Sequence, residues 1–354
     1  MIRQKVILEP QSKEDVLGNI LRSFGIKYQY ISCNENQYFD IFEIKLDLGT
    51  KLSKLDSVMM DVGLALRSKS PPRGFPVLER GVFRIEVQKN NIPSPELENF
   101  RLSETNYYSP IALGVDHAGN SLVVDLNSTP NLLVAGATGS GKSMLLHSII
   151  LSLLANKNSL YLVDPKMVEF SYYKDYEGVM EIHHDAEKTL QLIKDLNLIM
   201  EDRFKLLKGM GLRHAKEAPN IKPIVLIVDE WADMITQCKD MEKYISLLAQ
   251  KGRAAGISII LATQRPSSKV VSGLIKANFV GRVCMRVPSA TDSRIILDQN
   301  GGEKIREIGA GLFIDGRSSE PIFFKSPNIQ SIPQTIKNLG IQHKKKSIWN
   351  RIFG

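Results

Sequence analysis

The sequence predicts an α/β protein whose larger part is a nucleotide-binding core, preceded by a smaller α+β unit. Three observations predict it. An apolar run, 132–135, ends at Gly136, and Ala137-Thr138-Gly139-Ser140-Gly141-Lys142-Ser143 then opens a helix-like stretch. From about residue 109 onward, short apolar strands alternate with loops and helical segments. A second apolar run, Ile224–Val228, closes on two carboxylates, Asp229 and Glu230.

Taken in chain order, residues 1–105 read as the separate α+β unit. Residues 38–48 alternate as a strand does, 57–66 have helical apolar spacing, and 82–88 form a second strand. Stacked prolines and a glycine make 70–76 a loop, and the polar stretch 90–108, with Pro93 and Pro95, reads as a linker. The core occupies 106–340. Its strands are expected at 132–135, 160–163, 224–228, 259–262, 283–287 and 312–314. They are short, apolar and bounded by turn residues, as strands buried on both faces of a parallel sheet are. Ala186, Leu190, Ile193, Leu196, Met200, Phe204 and Leu207 recur at three- and four-residue spacing, and Gly209 and Gly211 close that helix. Residues 341–354 are a basic tail with aromatic residues.

The spacing Gly136-x-x-x-x-Gly141-Lys142-Ser143 is a phosphate-cradling loop in its proper context of strand, turn and helix start. Glycines let successive N–H groups turn inward around an anion, and the helix N-terminus adds partial positive charge. Lys142 then reaches the β- and γ-phosphates, and the Ser143 hydroxyl is offered to Mg²⁺. These features imply binding of a nucleoside triphosphate. Asp229, at the end of its strand, is placed to hold Mg²⁺ directly or through water. Glu230 is placed to orient and deprotonate an attacking water, which implies hydrolysis. Gln264 ends a third strand, where it can hydrogen-bond the γ-phosphate or the lytic water.

Other residues are ambiguous by spacing alone. Arg253 lies among small residues that suit close packing against a neighbour, where an arginine stabilises charge on the γ-phosphate across a subunit boundary. A surface ion pair is the plainer reading of Arg253, and Arg294 is equally open. His183-His184-Asp185 has no further Cys or His at useful spacing and reads as structural.

A net charge of +8 favours an anionic partner such as nucleic acid. The three cysteines form no CxxC pair and fit a reducing cytoplasmic compartment. No run approaches the roughly 20 apolar residues that span a bilayer, and the first ten residues lack the apolar centre of a signal peptide. Direct membrane insertion is not expected.

Together these residues resemble the FtsK/SpoIIIE DNA translocases. The matching segments are 132–143, Val163-Asp-Pro-Lys166, Ile227-Val-Asp-Glu-Trp-Ala-Asp233, Arg253-Ala-Ala-Gly-Ile257, Leu261-Ala-Thr-Gln-Arg-Pro266, Ser272-Gly-Leu-Ile-Lys-Ala-Asn278 and 292–299. The likeness runs from about residue 25 to 325, with 49–55 and 61–66 similar to the family's smaller α domain. It implies a RecA-like P-loop NTPase core, a hexameric ring of identical subunits, ATP and Mg²⁺ as cofactors, and double-stranded DNA as the partner. It also implies a trans-acting role for Arg253, and places Arg265, Lys276 and Arg294 in segments that look toward the DNA backbone. A motor should grip phosphates and not read bases.

Three departures stand out. The family's long forms carry N-terminal membrane helices and a terminal winged-helix module, and the residues after this motor are too few for such a domain. A lysine is usual where this chain has Ala290. The chain therefore resembles the compact motors of plasmids, conjugative elements and phages. The competing expectation is a secretion ATPase of the type VII kind, which shares the core and moves protein.

Overall fold

The computed structural model describes residues 12–36, 39–68, 71–89, 94–317 and 320–344. The basic tail beyond 344, and the expected strand's first residue at 38, lie outside them. The chain divides into two compact units, 1–93 with 117–120, and 94–116 with 121–354.

The first unit contains α1 (Lys13–Ser23), β1 (Tyr28–Glu35), β2 (Phe39–Leu46), α2 (Leu52–Ala65), β3 (Arg73–Val77) and β4 (Val82–Gln88). Its antiparallel sheet has the order β1-β2-β4-β3. Alternation places Phe42 and Ile44 of β2 with Phe83, Ile85 and Val87 of β4 in one core with Leu17, Leu21, Leu55, Val58 and Val62 of the helices. Glu43 is buried, and its carboxylate accepts from Arg84 at 2.7 Å and from Arg80 at 2.9 Å. Of the segment expected as a loop, residue 70 lies outside the described residues and 73–76 instead belong to β3, which among the described residues pairs only with β4. Pro76 is tolerated there because an edge strand has one unpaired side.

The second unit holds a ten-stranded sheet in the order β6-β5-β14-β13-β12-β7-β11-β10-β8-β9. Its strands are β5 (Pro110–Asp116), β6 (Ser121–Asp125), β7 (Asn131–Ala135), β8 (Ser159–Val163), β9 (Val179–His183), β10 (Ile224–Val228), β11 (Ile257–Thr263), β12 (Gly281–Met285), β13 (Ala310–Ile314) and β14 (Ile322–Lys325). Strands β12, β7, β11, β10, β8 and β9 are parallel, and β13, β14, β5 and β6 continue the sheet antiparallel. Every residue of β7, β10 and β11 is buried, because helices cover both faces of a parallel sheet.

The helices of this unit are α3 (Lys142–Ala155), α4 (Ala186–Met210), α5 (Trp231–Gln237), α6 (Met241–Lys251), α7 (Gly273–Asn278), α8 (Ala290–Leu297) and α9 (Ile332–Asn338). Helix α3 is apolar nearly all round and packs on β5 and β8. Its buried serines serve a bulge in β5 at Ala112–Gly114: Ser148 Oγ donates to Ala112 O at 2.9 Å, and Ser152 Oγ accepts from Ala112 N at 3.2 Å. Helix α4 starts where Asp185 accepts from Lys188 N at 2.8 Å and stops at Gly211 in the left-handed conformation. Asp185 is thus an N-cap. Strand β12 begins two residues before the expected 283 and ends at Met285. The stretch 97–104 forms two short turns that bury Leu97, Phe100 and Leu102.

Candidate functional site

The parallel order places the C-terminal ends of β7, β11, β10 and β8 side by side, and the loops leaving those ends build the site. The phosphate loop leaves β7 between β11 and β12. Gly136 N donates to Thr263 O at 3.2 Å, Ala137 N donates to Arg286 O at 2.9 Å, and Ser140 O accepts from Gly309 N at 2.8 Å. Three neighbouring segments therefore hold the loop. Gly141 has φ +98°, and a Cβ there would lie 2.6 Å from Gly309 N, so no side chain fits. The turn geometry and the close approach both require glycine at this position.

Lys142 opens α3 and is almost fully buried. Its Nζ donates to Asp229 Oδ1 at 2.6 Å and to Asp229 O at 2.8 Å. Ser143 Oγ donates to Glu169 Oε1 at 3.0 Å. Glu230, 3% exposed, accepts from Thr263 Oγ1 at 2.6 Å and from Gln264 N at 2.9 Å. Gln264 Oε1 accepts from Thr138 Oγ1 at 2.9 Å, which ties the third strand back to the phosphate loop. Gly136–Ser143, Asp229, Glu230 and Gln264, anticipated separately along the sequence, thus form one hydrogen-bonded assembly.

The next residue after the carboxylates anchors them. Trp231 is fully buried, and its Nε1 donates to Val270 O at 3.1 Å. Trp231→Ala is expected to lower unfolding free energy by about 3–5 kcal/mol, read from urea denaturation. A loss under 1 kcal/mol would mean that the anchor is dispensable.

The remaining candidates fall elsewhere. Arg265 follows Gln264 and is exposed at the phosphate-loop end of the sheet. Lys276 lies on α7, before the N-terminal end of β12, and ion-pairs with Asp298, which also takes Arg282. Partial burial works against ionisation of Asp298, but Lys276 and Arg282 hold its carboxyl below the usual range. Arg294 is exposed on α8, and donates to Asn300 Oδ1 at 2.9 Å. Arg253 is exposed before the N-terminal end of β11, where its Nε donates to Asn127 O at 2.8 Å. Of the His183-His184-Asp185 run, His183 pairs with Glu181 at 2.6 Å and His184 Nδ1 lies 2.7 Å from Asp164 O. Among the described residues, no group of three or more His, Cys, Asp or Glu side chains is set to hold a metal.

Sequence reasoning missed Glu169, His147, Tyr173 and Arg286. Glu169 sits on the loop after β8, where Asp164 Oδ2 accepts from Glu169 N and Phe170 N, both at 2.9 Å. Its carboxyl is held below the usual range, chiefly by His147, with Ser143 and the Lys142 charge adding to the effect. Arg286 reaches the loop apex, donating from Nη2 to Gly139 O at 3.2 Å. The one available signal was His147, a polar side chain inside an apolar helix.

The donor set fits a magnesium nucleotide. A Cβ at Gly136 or Gly141 would clash with Ser140 or Gly309, and Lys142 is a buried cation at its helix start. Ser143 and Asp229 carry oxygens of the kind that magnesium takes alongside phosphate oxygens.

The sequence profile of the FtsK/SpoIIIE family matches residues 102–220 and 214–268. The DNA translocase FtsK of Bacillus cereus is 36% identical over 331 residues, covering 86% of this chain and 42% of that protein. The DNA translocase SpoIIIE of Bacillus subtilis is 34% identical over 331 residues, covering 86% of this chain and 43% of that protein. This chain therefore spans less than half the length of these relatives. Among solved structures, the pCW3 conjugation coupling protein TcpA, a monomer form with ATPγS, superposes with a TM-score of 0.65 at 22% identity, covering 92% of this chain and 99% of that one. The cytoplasmic domain of the Thermomonospora curvata type VII secretion ATPase EccC gives 0.58 at 22% identity, over 66% of this chain and 31% of that one. At such identities the likeness is one of fold: a P-loop NTPase core. Among the described residues, no helix is long and apolar enough to cross a membrane.

Proposed function

The chain belongs to the FtsK/SpoIIIE family, and we propose that it hydrolyses ATP in the cytoplasm to move double-stranded DNA through a ring, hexameric as in the resemblance, of its own copies. The observation that carries this reading is the single hydrogen-bonded assembly of phosphate loop, Lys142, Asp229, Glu230 and Gln264 at the strand ends. Lys142, now on Asp229, is the cation that exchanges its partner for the β- and γ-phosphates. Ser143 and Asp229 would hold magnesium, which would supply charge neutralisation on the phosphates. Glu230 accepts two hydrogen bonds, from Thr263 Oγ1 and Gln264 N. An ionised carboxylate has about four acceptor sites, so capacity remains to take a proton from an attacking water.

Coupling to DNA would run through Thr263 and Gln264. The Thr263 hydroxyl donates to Glu230 and accepts from Arg265 N at 3.1 Å. Gln264 bridges Glu230 and Thr138. A change at the γ-phosphate that moves either partner would therefore move the backbone carrying exposed Arg265. Arg265, Lys276 and Arg294 would contact DNA phosphates, each adding to the salt dependence of binding. DNA transfer in plasmid, conjugative-element or phage biology is the setting in which we place it.

The test is ATP turnover with and without long linear duplex DNA, for wild type and Lys142→Ala. Strong stimulation by duplex that weakens as salt rises, and no turnover in the variant, is the expected result. Turnover indifferent to DNA and raised by a secreted polypeptide would replace this reading with the type VII one.

A further inference from the structure

A polar side chain buried in an apolar helix costs desolvation unless it is hydrogen-bonded, and α3 carries one directly behind the phosphate loop. His147, 5% exposed, is one turn beyond Ser143, so both project from the same helix face. Its Nδ1 lies 2.8 Å from the Tyr173 hydroxyl, and its Nε2 lies 3.4 Å from Glu169 Oε2. The other oxygen of Glu169 accepts from Ser143 Oγ at 3.0 Å. The four side chains form one chain of contacts: Tyr173, His147, Glu169, Ser143.

The direction of that chain follows from its far end. Tyr173 is fully buried, and burial pushes its phenol pKa up, so it keeps its proton. A protonated phenol donates to His147 Nδ1, which puts the imidazole proton on Nε2, facing Glu169. The backbone on the opposite side is fixed by buried Asp164, which accepts two N–H groups of the Glu169 loop. Glu169 is thus held from both sides, with one oxygen left for Ser143.

We propose that Glu169, held by His147 and Tyr173, is the positioning residue for magnesium in this site: accepting the Ser143 O–H leaves the lone pairs of that oxygen for the metal. The inference rests on the reading of 136–143 as a magnesium–nucleotide site. It assigns to Glu169 the orienting task that outer carboxylates commonly perform around metal ligands, whose loss typically costs about 10- to 100-fold in metal affinity. It also explains why a histidine is kept in the apolar helix, one turn behind the phosphate loop.

The experiment is ATPγS binding to the full chain by calorimetry, in EDTA and across a magnesium titration. Glu169→Gln keeps the side-chain volume at a position with 31% of its side chain exposed. It is expected to leave the magnesium-free affinity unchanged and to raise the magnesium midpoint about 10- to 100-fold. Tyr173→Phe, which keeps the ring and removes only the hydroxyl, should shift the midpoint in the same direction by less. Lys142→Ala should weaken binding with and without magnesium. A wild-type magnesium midpoint in Glu169→Gln overturns the proposal, as does an equal loss of affinity in EDTA, which a merely structural role would produce. If wild type itself fails to bind ATPγS, the nucleotide reading falls first and this inference with it.

Discussion

Glu230→Gln is expected to lower ATP turnover about 10²- to 10⁴-fold, the usual contribution of a positioned general base, with ATP affinity retained. Glu230 is buried at the C-terminal end of β10, with both oxygens engaged by β11. Glutamine preserves that network. Its Oε1 accepts from Gln264 N, and its amide donates to Thr263 Oγ1, whose hydroxyl turns from donor to acceptor. The variant therefore removes the base and little else, so turnover and affinity should separate. Steady-state ATPase rates and nucleotide titrations on the same preparation check this. A variant that turns over within a few-fold of wild type would remove Glu230 from the chemistry and leave its role as the strut that joins β10 to β11.

Arg253→Ala should cost about 10³-fold in turnover, the lower end of what an arginine delivered to a γ-phosphate contributes. Arg253 precedes β11, and the phosphate loop lies beyond the opposite end of that sheet. Seven residues of strand separate the two ends, about 20 Å. An arginine side chain cannot cover that distance, so Arg253 has no role at its own subunit's nucleotide. Exposure of the side chain leaves it available to a neighbour.

Its loop is braced for such a task. Arg203 on α4 donates to Ala255 O at 2.7 Å and to Lys222 O at 2.8 Å, and Tyr108 OH donates to Ile221 O at 2.8 Å close by. Mixing provides the decisive measurement. Arg253→Ala subunits keep an intact phosphate loop, and Lys142→Ala subunits keep an intact arginine. Each is inactive alone, and mixed rings should recover turnover because the second supplies Arg253 to the first. Mixtures no more active than the sum of their parts would leave Arg253 only its bond to Asn127 O, in place of the surface ion pair that spacing alone suggested.

Sequence reasoning found elements wherever a local period was strong. Strand β10 was legible to the residue because five consecutive apolar residues end on two carboxylates, and α4 because its apolar positions recur over 25 residues. Strands β1, β5, β6, β9 and β14 were not anticipated. β6 and β9 are only partly buried and β9 mixes Met, Glu and His, while β5 and β14, buried over most of their length, are interrupted by Pro110 and Gly114 or end on Lys325. β3 was missed for a related reason: its proline and glycine signal a turn, and only pairing with β4 makes that stretch a strand.

The phosphate loop, Asp229, Glu230 and Gln264 were legible because their chemistry is tied to strand ends, and strand ends are marked in one dimension. Glu169 and Arg286 were not, because each is placed by a loop with no period. Glu169 reaches Ser143 only because β8 lies beside β10 and its outgoing loop folds back onto buried Asp164. Arg286 reaches Gly139, 147 residues away in the chain, only because β12 pairs with β7.

The sequence by itself determined that this chain has an α/β P-loop core, which strands carry its charged groups, and which loop has the glycine spacing of a phosphate cradle. These follow from residue spacing within single elements, where side-chain direction is set by the backbone period. Tertiary structure alone decided that β7 lies between β11 and β12, that Lys142 rests on Asp229, and that Arg253 lies at the far end of the sheet from its own phosphate loop. Those placements depend on which strands pair and which faces bury together, and packing between distant segments leaves no trace in local spacing.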